Sequence, residues 1–357
     1  MKKKLVFKVL TLSLLLFLAW SAWTASTVRA QTKPYYKGKT IRLVVGFTPG
    51  GFYDRYARFL ARHWGKYIPG NPNFIVQNMP GAGSRIVANY IYNAAKPDGL
   101  TIGSIHPNLY FDQITGSSQA QYDWRKFTWI GSPEHPPSIL YIRADSLLKT
   151  LDDVKNASKP PMCGATGKST SGYTIPKVVE ETIGIKFDVA VGYKGGRQID
   201  LAVERGEVAC RVGTMAAHFG REPFLSWHKK GFDNHLLHTG KKVNLDIYPD
   251  ALDIPSIFDV AIEQKISDEN MQFLTLVVSG GEFGRPYVAP PGIPQDRATI
   301  LRNAFMSVFK NPKAIAEAKR LRMNPDPVEV KKLKAMAEEV IASPPVVVER
   351  FKKLIGQ

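Results

Sequence analysis

The sequence lacks most of the signatures that assign a chemistry directly. Its 357 residues contain no His-Glu-x-x-His metal motif, no Gly-x-Ser-x-Gly hydrolase elbow, no internal repeat and no low-complexity tract. The seven histidines are dispersed, and His235 and His238, three residues apart, are a weak candidate for a metal pair. We therefore predict no catalytic residues, no metal site and no cofactor.

Cysteine is nearly absent as well. The two cysteines, Cys163 and Cys210, lie in short apolar segments of the kind that form neighbouring strands. An exported protein can join such residues in a disulfide, whereas two buried free thiols would pack as small apolar groups. The sequence leaves both alternatives open.

Hydrophobic runs of membrane length are also missing. Lysines at positions 2–4 precede an uncharged run from Val9 to Trp20, which is shorter than the roughly 20 residues that span a bilayer. Val28 and Ala30 supply the small residues of a cleavage site. The pattern predicts that residues 1–30 are a signal peptide cleaved near Ala30 and that the mature chain is periplasmic, with an uncleaved anchor as the alternative.

Acidic residues are too few to balance the basic ones. The chain has 48 Lys and Arg residues against 31 Asp and Glu, a formal charge of +17. Residues 1–30 contain five of these cations and no anion, so the rest of the chain is still basic. A basic surface favours anionic partners, but the cations are scattered rather than gathered in one run. We predict that nucleic acid is not a partner, which leaves membrane headgroups and small carboxylates as the anionic partners, and that most of these charges are solvated surface.

Alternating apolar and amphipathic stretches indicate the fold class. Strand-like runs alternate with helical ones over residues 41–104 and again over 138–212. Two such units predict an α/β protein of two domains, each with a mixed, mainly parallel sheet flanked by helices. We expect domain one at 31–135, domain two at 136–272, and a return to domain one through C-terminal helices in 273–357. Within these bounds, residues 219–270 are hard to interpret and Phe273–Val278 is predicted to be extended.

Glycine-rich turns are the candidate binding elements of the first unit. Gly46–Gly51 and Met79–Ser84 each lead from a strand into a helix, where free backbone N–H groups and a partial positive charge attract anions. Right-handed crossovers place such turns on one edge of a parallel sheet, so they should converge with residues 103–108. The candidates are Gly50, Gly51, Asp54, Gly81, Ala82, Gly83, Ser84 and His106. Asp54 is a helix cap, a ligand contact or a base, and His106 is either a ligand residue or structural.

Two glycine-containing turns of the second unit are the corresponding candidate binding elements. Gly164–Thr170 contains the Gly-Lys-Ser of a phosphate-binding loop, but Met162 stands where that motif requires glycine. Its residues Lys168, Ser169 and Thr170 are candidates for an anion site, with an ordinary helix start as the alternative. The turn Gly192–Gly196 contains two further candidates, Tyr193 and Lys194. Either both side chains contact a ligand, or Tyr193 is packed in the protein and Lys194 is solvated.

Taken in order, these motifs resemble the solute-binding proteins of the tripartite tricarboxylate transporter family, also called Bug proteins. The resemblance covers the mature chain and rests on Phe47-Thr-Pro-Gly-Gly-x-x-Asp54 with Arg58, Gln77-Asn-x-Pro-Gly-Ala-Gly83, Pro97-Asp-Gly99, Tyr193-Lys-Gly195 and Ala289-Pro-Pro-Gly-Ile-Pro294. It implies a two-domain periplasmic-binding-protein fold of type II-like form, a monomer whose interdomain cleft closes on a small carboxylate and which delivers it to membrane permease subunits.

In that family, backbone amides and hydroxyls of the turns hold the ligand. The positions that match are Gly50, Gly51, Asp54, Gly81, Ala82, Gly83, Ser169, Thr170, Ser171, Tyr193, Lys194 and Gly195. The chain departs from the family where Phe52 and Tyr53 replace small residues, Gly172 replaces a frequent histidine, and Gly213 and Thr214 take the place of an aspartate. These departures predict pocket roles for Phe52, Tyr53 and Thr214 and a ligand with an apolar or aromatic portion.

Capture of a small carboxylate for transport is therefore the function predicted by the sequence. Two alternatives stay open. One is an exported enzyme on a similar anion, with Asp54 or His106 as base. The other is a ligand sensor that docks a membrane kinase.

Overall fold

The computed structural model describes residues 33–356. The predicted signal peptide and its cleavage point near Ala30 lie outside the described residues. Within residues 33–356, no helix combines the length and the apolar character needed to cross a membrane.

The first of two sheets has five strands in the order β2-β1-β3-β10-β4. β1 is paired in parallel with β2 and β3, whereas β10 runs antiparallel to both β3 and β4. Its strands are β1 (Thr40–Val45), β2 (Asn73–Asn78), β3 (Thr101–Ser104), β4 (Thr128–Gly131) and β10 (Tyr287–Ala289). We call this sheet with the helices packed on it the first lobe.

The second sheet also has five strands, in the order β7-β6-β8-β5-β9. β6 pairs in parallel with β7 and β8, and β5 runs antiparallel to β8 and β9. Its strands are β5 (Ser138–Arg143), β6 (Met162–Ala165), β7 (Asp188–Val191), β8 (Cys210–Thr214) and β9 (Asp233–His238). We call this sheet with its helices the second lobe. Both sheets are mixed, as predicted, but parallel and antiparallel pairings are equally frequent, so neither sheet is mainly parallel.

Helices cover the sheets and follow most of the parallel strands. They are α1 (Phe52–His63), α2 (Arg85–Asn93), α3 (Tyr110–Ile114), α4 (Leu151–Lys155), α5 (Ser171–Ile183), α6 (Gly196–Glu204), α7 (Met215–Gly220), α8 (Phe224–Lys230), α9 (Ile257–Glu263), α10 (Asp268–Ser279), α11 (Gln295–Val308), α12 (Pro312–Arg320), α13 (Val330–Ile341) and α14 (Pro345–Leu354). The α/β architecture of two helix-flanked sheets confirms the predicted fold class, while the domain bounds 31–135, 136–272 and 273–357 stay a prediction.

The C-terminal helices reach both lobes. α11 and α13 pack on β4 of the first sheet, whereas α14 contacts α5 of the second lobe. Phe351 on α14 stacks on Phe111 of α3 with ring centroids 3.8 Å apart. The end of the chain therefore ties the lobes together on the side away from β2.

The prediction that Phe273–Val278 is extended is wrong, because this run lies inside α10. The side chain of Ser267 caps the helix by accepting from the N–H of Asn270, and α10 packs against α5. A short run of leucine and valine fits a buried strand and a buried helix equally well by periodicity. Here the cap at Ser267, six residues upstream of Phe273, marks the start of a helix that includes the run.

The cysteines are joined. Cys163 on β6 and Cys210 on β8 are direct register partners in neighbouring parallel strands and form a disulfide. Both are fully buried. The sequence left open whether these residues form a disulfide or stay as two buried free thiols, and the structure contains the disulfide.

Candidate ligand-binding site

The glycine turns of the first lobe meet at one sheet edge, as predicted. The N–H of Met79 donates to the carbonyl of Val45, and the N–H of His106 donates to Oγ of Ser84 over 2.7 Å. A side chain at Gly46 would collide with Ser84, since a Cβ there would lie 2.1 Å from the Ser84 Cβ. The turn at Gly81–Ser84 has positive φ at all four residues. This chain path brings the second turn against the first.

Asp54 holds the first turn together. Its Oδ2 accepts from the N–H of Gly50 and from Nε of Arg58, each over 2.9 Å, and its Oδ1 accepts from Nδ2 of Asn78 over 3.0 Å. Burial by itself raises the pKa of Asp54, but the hydrogen bonds from Arg58, Gly50 and Asn78 outweigh it and hold the pKa below its usual value. Asp54 therefore positions the turn instead of lining the cavity.

A cavity of about 90 Å³ lies between the lobes. Seven residues predicted from the sequence line it: Gly51, Phe52, Tyr53, His106, Thr170, Ser171 and Thr214. A neighbouring cleft of about 610 Å³ is lined by Ala82, Lys168, Ser169 and Thr170, among others. The two spaces have Thr166 and Thr170 in common, so they lie next to each other.

Three helices begin at the cavity without side-chain caps. α1 begins after Gly51, α5 after Thr170 and α6 after Gly195, and none of these three N-cap residues makes a side-chain hydrogen bond to its helix. Gly51, Thr170 and Gly196 line the cavity. Uncapped N–H groups and the positive ends of the helix dipoles favour an anion there.

Three arginines that the sequence reasoning missed also line the cavity: Arg211, Arg221 and Arg285. Asp200 accepts hydrogen bonds from both Arg211 and Arg221, whose Nη2 lies 2.5 Å from Oδ2. Nε of Arg211 and Nε of Arg221 are buried and have no hydrogen-bond partner among residues 33–356. Because a buried unsatisfied donor is costly, these groups indicate a missing acceptor.

Arg285 comes from the first lobe, directly before β10. Its Nε donates to Glu134 over 2.5 Å and its Nη2 donates to Oγ1 of Thr214 over 2.7 Å, which links the lobes. Its guanidinium carbon lies 4.6 Å from the ring centroid of Tyr53 and 4.9 Å from that of Phe52. The two unusual aromatic residues thus lie beside a buried cation.

His106 adds a neutral polar group. Its Nδ1 accepts from the N–H of Asn108 over 3.1 Å, so the proton of the neutral ring resides on Nε2. Burial, and to a smaller extent the charge of Arg285, lowers the pKa of His106 to about 3. The ring is therefore uncharged at neutral pH and offers a donor to the cavity.

The remaining predicted residues have other surroundings. Gly50, Gly83 and Gly195 lie where the two lobes touch: a Cβ on Gly83 would be 2.6 Å from Thr170, and one on Gly195 would be 2.3 Å from Oγ1 of Thr48. Tyr193 packs on the hydrophobic cluster around Ile199, and Lys194 is exposed. Gly81 and Ser84 shape the second turn without lining the cavity. His235 and His238 are not paired, since Nδ1 of His238 accepts from the N–H of Gly240.

Of the missed residues, only Arg211 left a signal in the sequence. A charged residue in the middle of the apolar run from Val208 to Val212 is rare in a buried strand unless it is paired or functional. Arg221 and Arg285 acquire their positions from tertiary packing, as does Thr166.

Comparison with known proteins finds relatives in sequence and in structure. No family model matches the chain. It is 25% identical over 318 residues to a UPF0065 protein of Cupriavidus necator, a match that covers 88% of each protein. It is 29% identical over 195 residues to a UPF0065 protein of Bordetella pertussis, which covers 52% of this chain and 56% of that protein.

Solved structures share the fold. The periplasmic binding protein BugD superposes with a TM-score of 0.67 at 18% identity, over 89% of this chain and 98% of that one. A protein of R. palustris solved with adipate gives 0.66 at 17% identity, over 89% and 98%. MatC of Rhodopseudomonas palustris, solved with malate, gives 0.65 at 17% identity, over 89% and 99%. The chain is therefore similar in sequence to UPF0065 proteins and shares the fold of the periplasmic binding protein BugD, in agreement with the resemblance of its motifs to the Bug family.

Proposed function

We propose that this protein is a periplasmic solute-binding protein that captures a small organic carboxylate between its lobes and delivers it to a membrane permease. The observation that carries the proposal is the cavity itself, where three arginines and three uncapped helix N-termini meet. None of the described residues lining it is acidic. A carboxylate would supply the acceptors that Nε of Arg211 and Nε of Arg221 lack.

The charge balance supports an anionic ligand. Asp200 and Glu134 lie behind the three arginines, which leaves the lining positive by at least one unit. Burial also raises the pKa of Glu134, against the opposing effect of Arg285, and protonation of this residue would only add to the surplus. The neighbours solved with adipate and malate hold dicarboxylates, which fits the same pattern.

Of the apolar or aromatic portion expected from the sequence, we propose the apolar alternative, in a compact aliphatic ligand. The cavity is small, about 90 Å³. The ring of Tyr53 already packs on Phe47, with centroids 4.4 Å apart, and beside Arg285. Phe52 likewise lies against Arg285 and Tyr56. The aromatic faces are therefore engaged in holding the arginine.

The geometry also favours binding over catalysis at this site. The carboxylate of Asp54 is engaged by three donors and does not line the cavity. His106, with its pKa lowered to about 3, is a weak base at neutral pH. Neither candidate base of the enzyme alternative is prepared for proton abstraction.

Isothermal titration calorimetry with mono-, di- and tricarboxylates, aliphatic and aromatic, tests the proposal. We expect a short aliphatic dicarboxylate to bind best. Arg221→Gln should weaken that binding by about 1.5–3 kcal/mol, roughly 10- to 150-fold, because it removes a charged hydrogen-bond donor. Arg205→Gln, on the exposed end of α6, is the matched control and should bind like the wild type.

The absence of measurable binding heat for every compound in the panel would contradict the proposal. Preferred binding of benzoate-type ligands would contradict its aliphatic part and restore the expectation from Phe52 and Tyr53. Circular dichroism of each variant separates loss of binding from loss of fold.

A further inference from the structure

Four side chains with metal-binding chemistry meet in the second lobe, outside the cavity. His218 lies on α7, His228 on α8, and Asp233 and His235 on β9. Their ligand atoms all lie within 4.8 Å of one another. Asp233 and His235 are two residues apart on a strand and so face the same side of the sheet, where α7 and α8 pack against each other.

The distances describe a compact tetrahedron. Nε2 of His218 lies 2.8 Å from Nε2 of His235 and 3.0 Å from Nε2 of His228. Oδ2 of Asp233 lies 3.0 Å from Nε2 of His218, 3.4 Å from that of His235 and 3.6 Å from that of His228. Four ligands placed tetrahedrally around zinc at the usual 2.0–2.1 Å are about 3.4 Å apart. The five separations bracket this value.

Hydrogen bonding within the cluster does not account for it. The Asp233 side chain is fully buried, its Oδ2 lies among the three imidazole nitrogens, and its Oδ1 has no hydrogen-bond partner among residues 33–356. Nε2 of His218 faces two other imidazole nitrogens, yet a neutral imidazole has a single N–H to donate. A cation at the centre would satisfy all four ligand atoms at once.

The surroundings suit a fixed ion with a route from solvent. The ring of His218 is buried, 4.6 Å from the ring centroids of both Tyr141 and Phe224. His228 and His235 keep about a fifth of their side-chain surface exposed, at 20% and 19%. An ion can therefore enter past these two residues and be held on the inner side by His218 and Asp233.

We propose that His218, His228, Asp233 and His235 bind one zinc ion. Imidazole and carboxylate ligands in tetrahedral arrangement suit zinc, and four protein ligands leave no open position for a reacting water. The site is therefore structural. It fastens α7 and α8 to β9, and through the end of α7 it steadies Arg221 at the cleft.

This site has little signature in the sequence because its ligands are spread over three elements, with nine, four and one residues between successive members. Standard zinc signatures place ligands two to five residues apart in pairs. The candidate pair His235 and His238 contains only one true member of the cluster.

Zinc uptake by the tag-free mature protein tests the proposal. The protein is stripped with a chelator, dialysed against zinc and analysed for bound metal, and its thermal unfolding is followed with and without zinc. We expect about one zinc per chain and a rise in the unfolding midpoint of roughly 5 °C at zinc well above its Kd. Cobalt in place of zinc should give the intense visible absorption of four-coordinate Co²⁺.

Variants locate the site. His228→Ala and Asp233→Asn should lose the bound zinc and the zinc-dependent rise in midpoint, while His135→Ala, a partly exposed histidine outside the cluster, should retain both. His228→Ala is the less disruptive of the two substitutions because His228 is partly exposed. Circular dichroism of this variant checks that it is folded. Equal zinc content in the wild type and His228→Ala, or a midpoint that zinc does not move, would overturn the proposal.

Discussion

Asp54 shows what individual side chains do at the cleft of this protein. It accepts hydrogen bonds from Gly50, Arg58 and Asn78 and so fixes the turn that borders the cavity at Gly51. The sequence predicted Asp54 at the site and left its role open among cap, contact and base. Its burial and its three donors identify it as the residue that holds the turn.

Asp54→Asn should therefore lower the free energy of unfolding by about 1–2 kcal/mol at pH 7. The folded-state pKa of Asp54 is depressed, so its stabilising effect is present above the unfolded pKa of about 3.9 and is lost as pH falls through the folded value. Urea unfolding at pH 7 and pH 3 measures the difference from wild type, which should shrink at pH 3. The exposed Asp253→Asn is the control, and a difference that stays constant would contradict the assignment.

The arginines mark the limit of sequence reasoning at this scale. The glycine turns were predictable because each follows a strand and precedes a helix, a pattern that local spacing reveals. Arg285 instead pairs with Glu134, 151 residues earlier, and its place depends on the pairing of β10 with β4 in the first sheet. Such a contact has no local signature, and the seven predicted cavity residues were accordingly those on turns.

Secondary-structure elements were mostly predictable from hydrophobic periodicity, and the exceptions have physical reasons. The part of α10 from Phe273 to Val278 is predicted to be extended because a short apolar run fits a buried strand and a buried helix equally well. The segment 219–270 resisted interpretation because its helices α8 and α9 are only seven residues long and β9 is an edge strand. The disulfide joins the elements β6 and β8 and needed the register of Cys163 opposite Cys210 to be known.

Removing this disulfide should destabilise the second lobe. The bond closes a loop with a sequence separation of 47 residues, for which chain entropy predicts about 4 kcal/mol and measured cases give roughly 2–5 kcal/mol. The double variant Cys163→Ala, Cys210→Ala should unfold at a lower urea concentration than the oxidised wild type. Wild type unfolded under reducing conditions is the control and should behave like the variant. Unchanged unfolding in all three would contradict the prediction.

In the whole molecule, the two lobes are in contact. Arg285 donates to Thr214 across the cleft, Ser169 donates to Asp112, and Nη1 of Arg55 donates to the carbonyl of Gly220 over 3.3 Å. The glycines at the contact permit this approach because they carry no Cβ. Ligand capture then follows if these contacts form around a bound anion and separate in its absence.

Gly195→Ala tests closure. Its φ of 173° suits any residue, so the added methyl group acts through its contact with Thr48 in the other lobe. We expect ligand affinity to fall by about 1–3 kcal/mol while thermal stability without ligand is unchanged. Gly281→Ala, where an added Cβ meets no atom within 4 Å, is the matched control. Wild-type ligand affinity in Gly195→Ala would mean that ligand binding does not require the close approach of Gly195 to Thr48.

The central claim is that charge on the ligand is recognised by the arginine-lined cavity between the lobes. The most direct measurement is calorimetric titration of the wild-type protein with the best dicarboxylate of the panel and with its diamide, which has a similar shape and no charge. We predict that the dicarboxylate binds and that the diamide gives no measurable heat, because an uncharged ligand does not balance the surplus positive charge of the cavity lining. Equal binding of the two compounds would contradict the account.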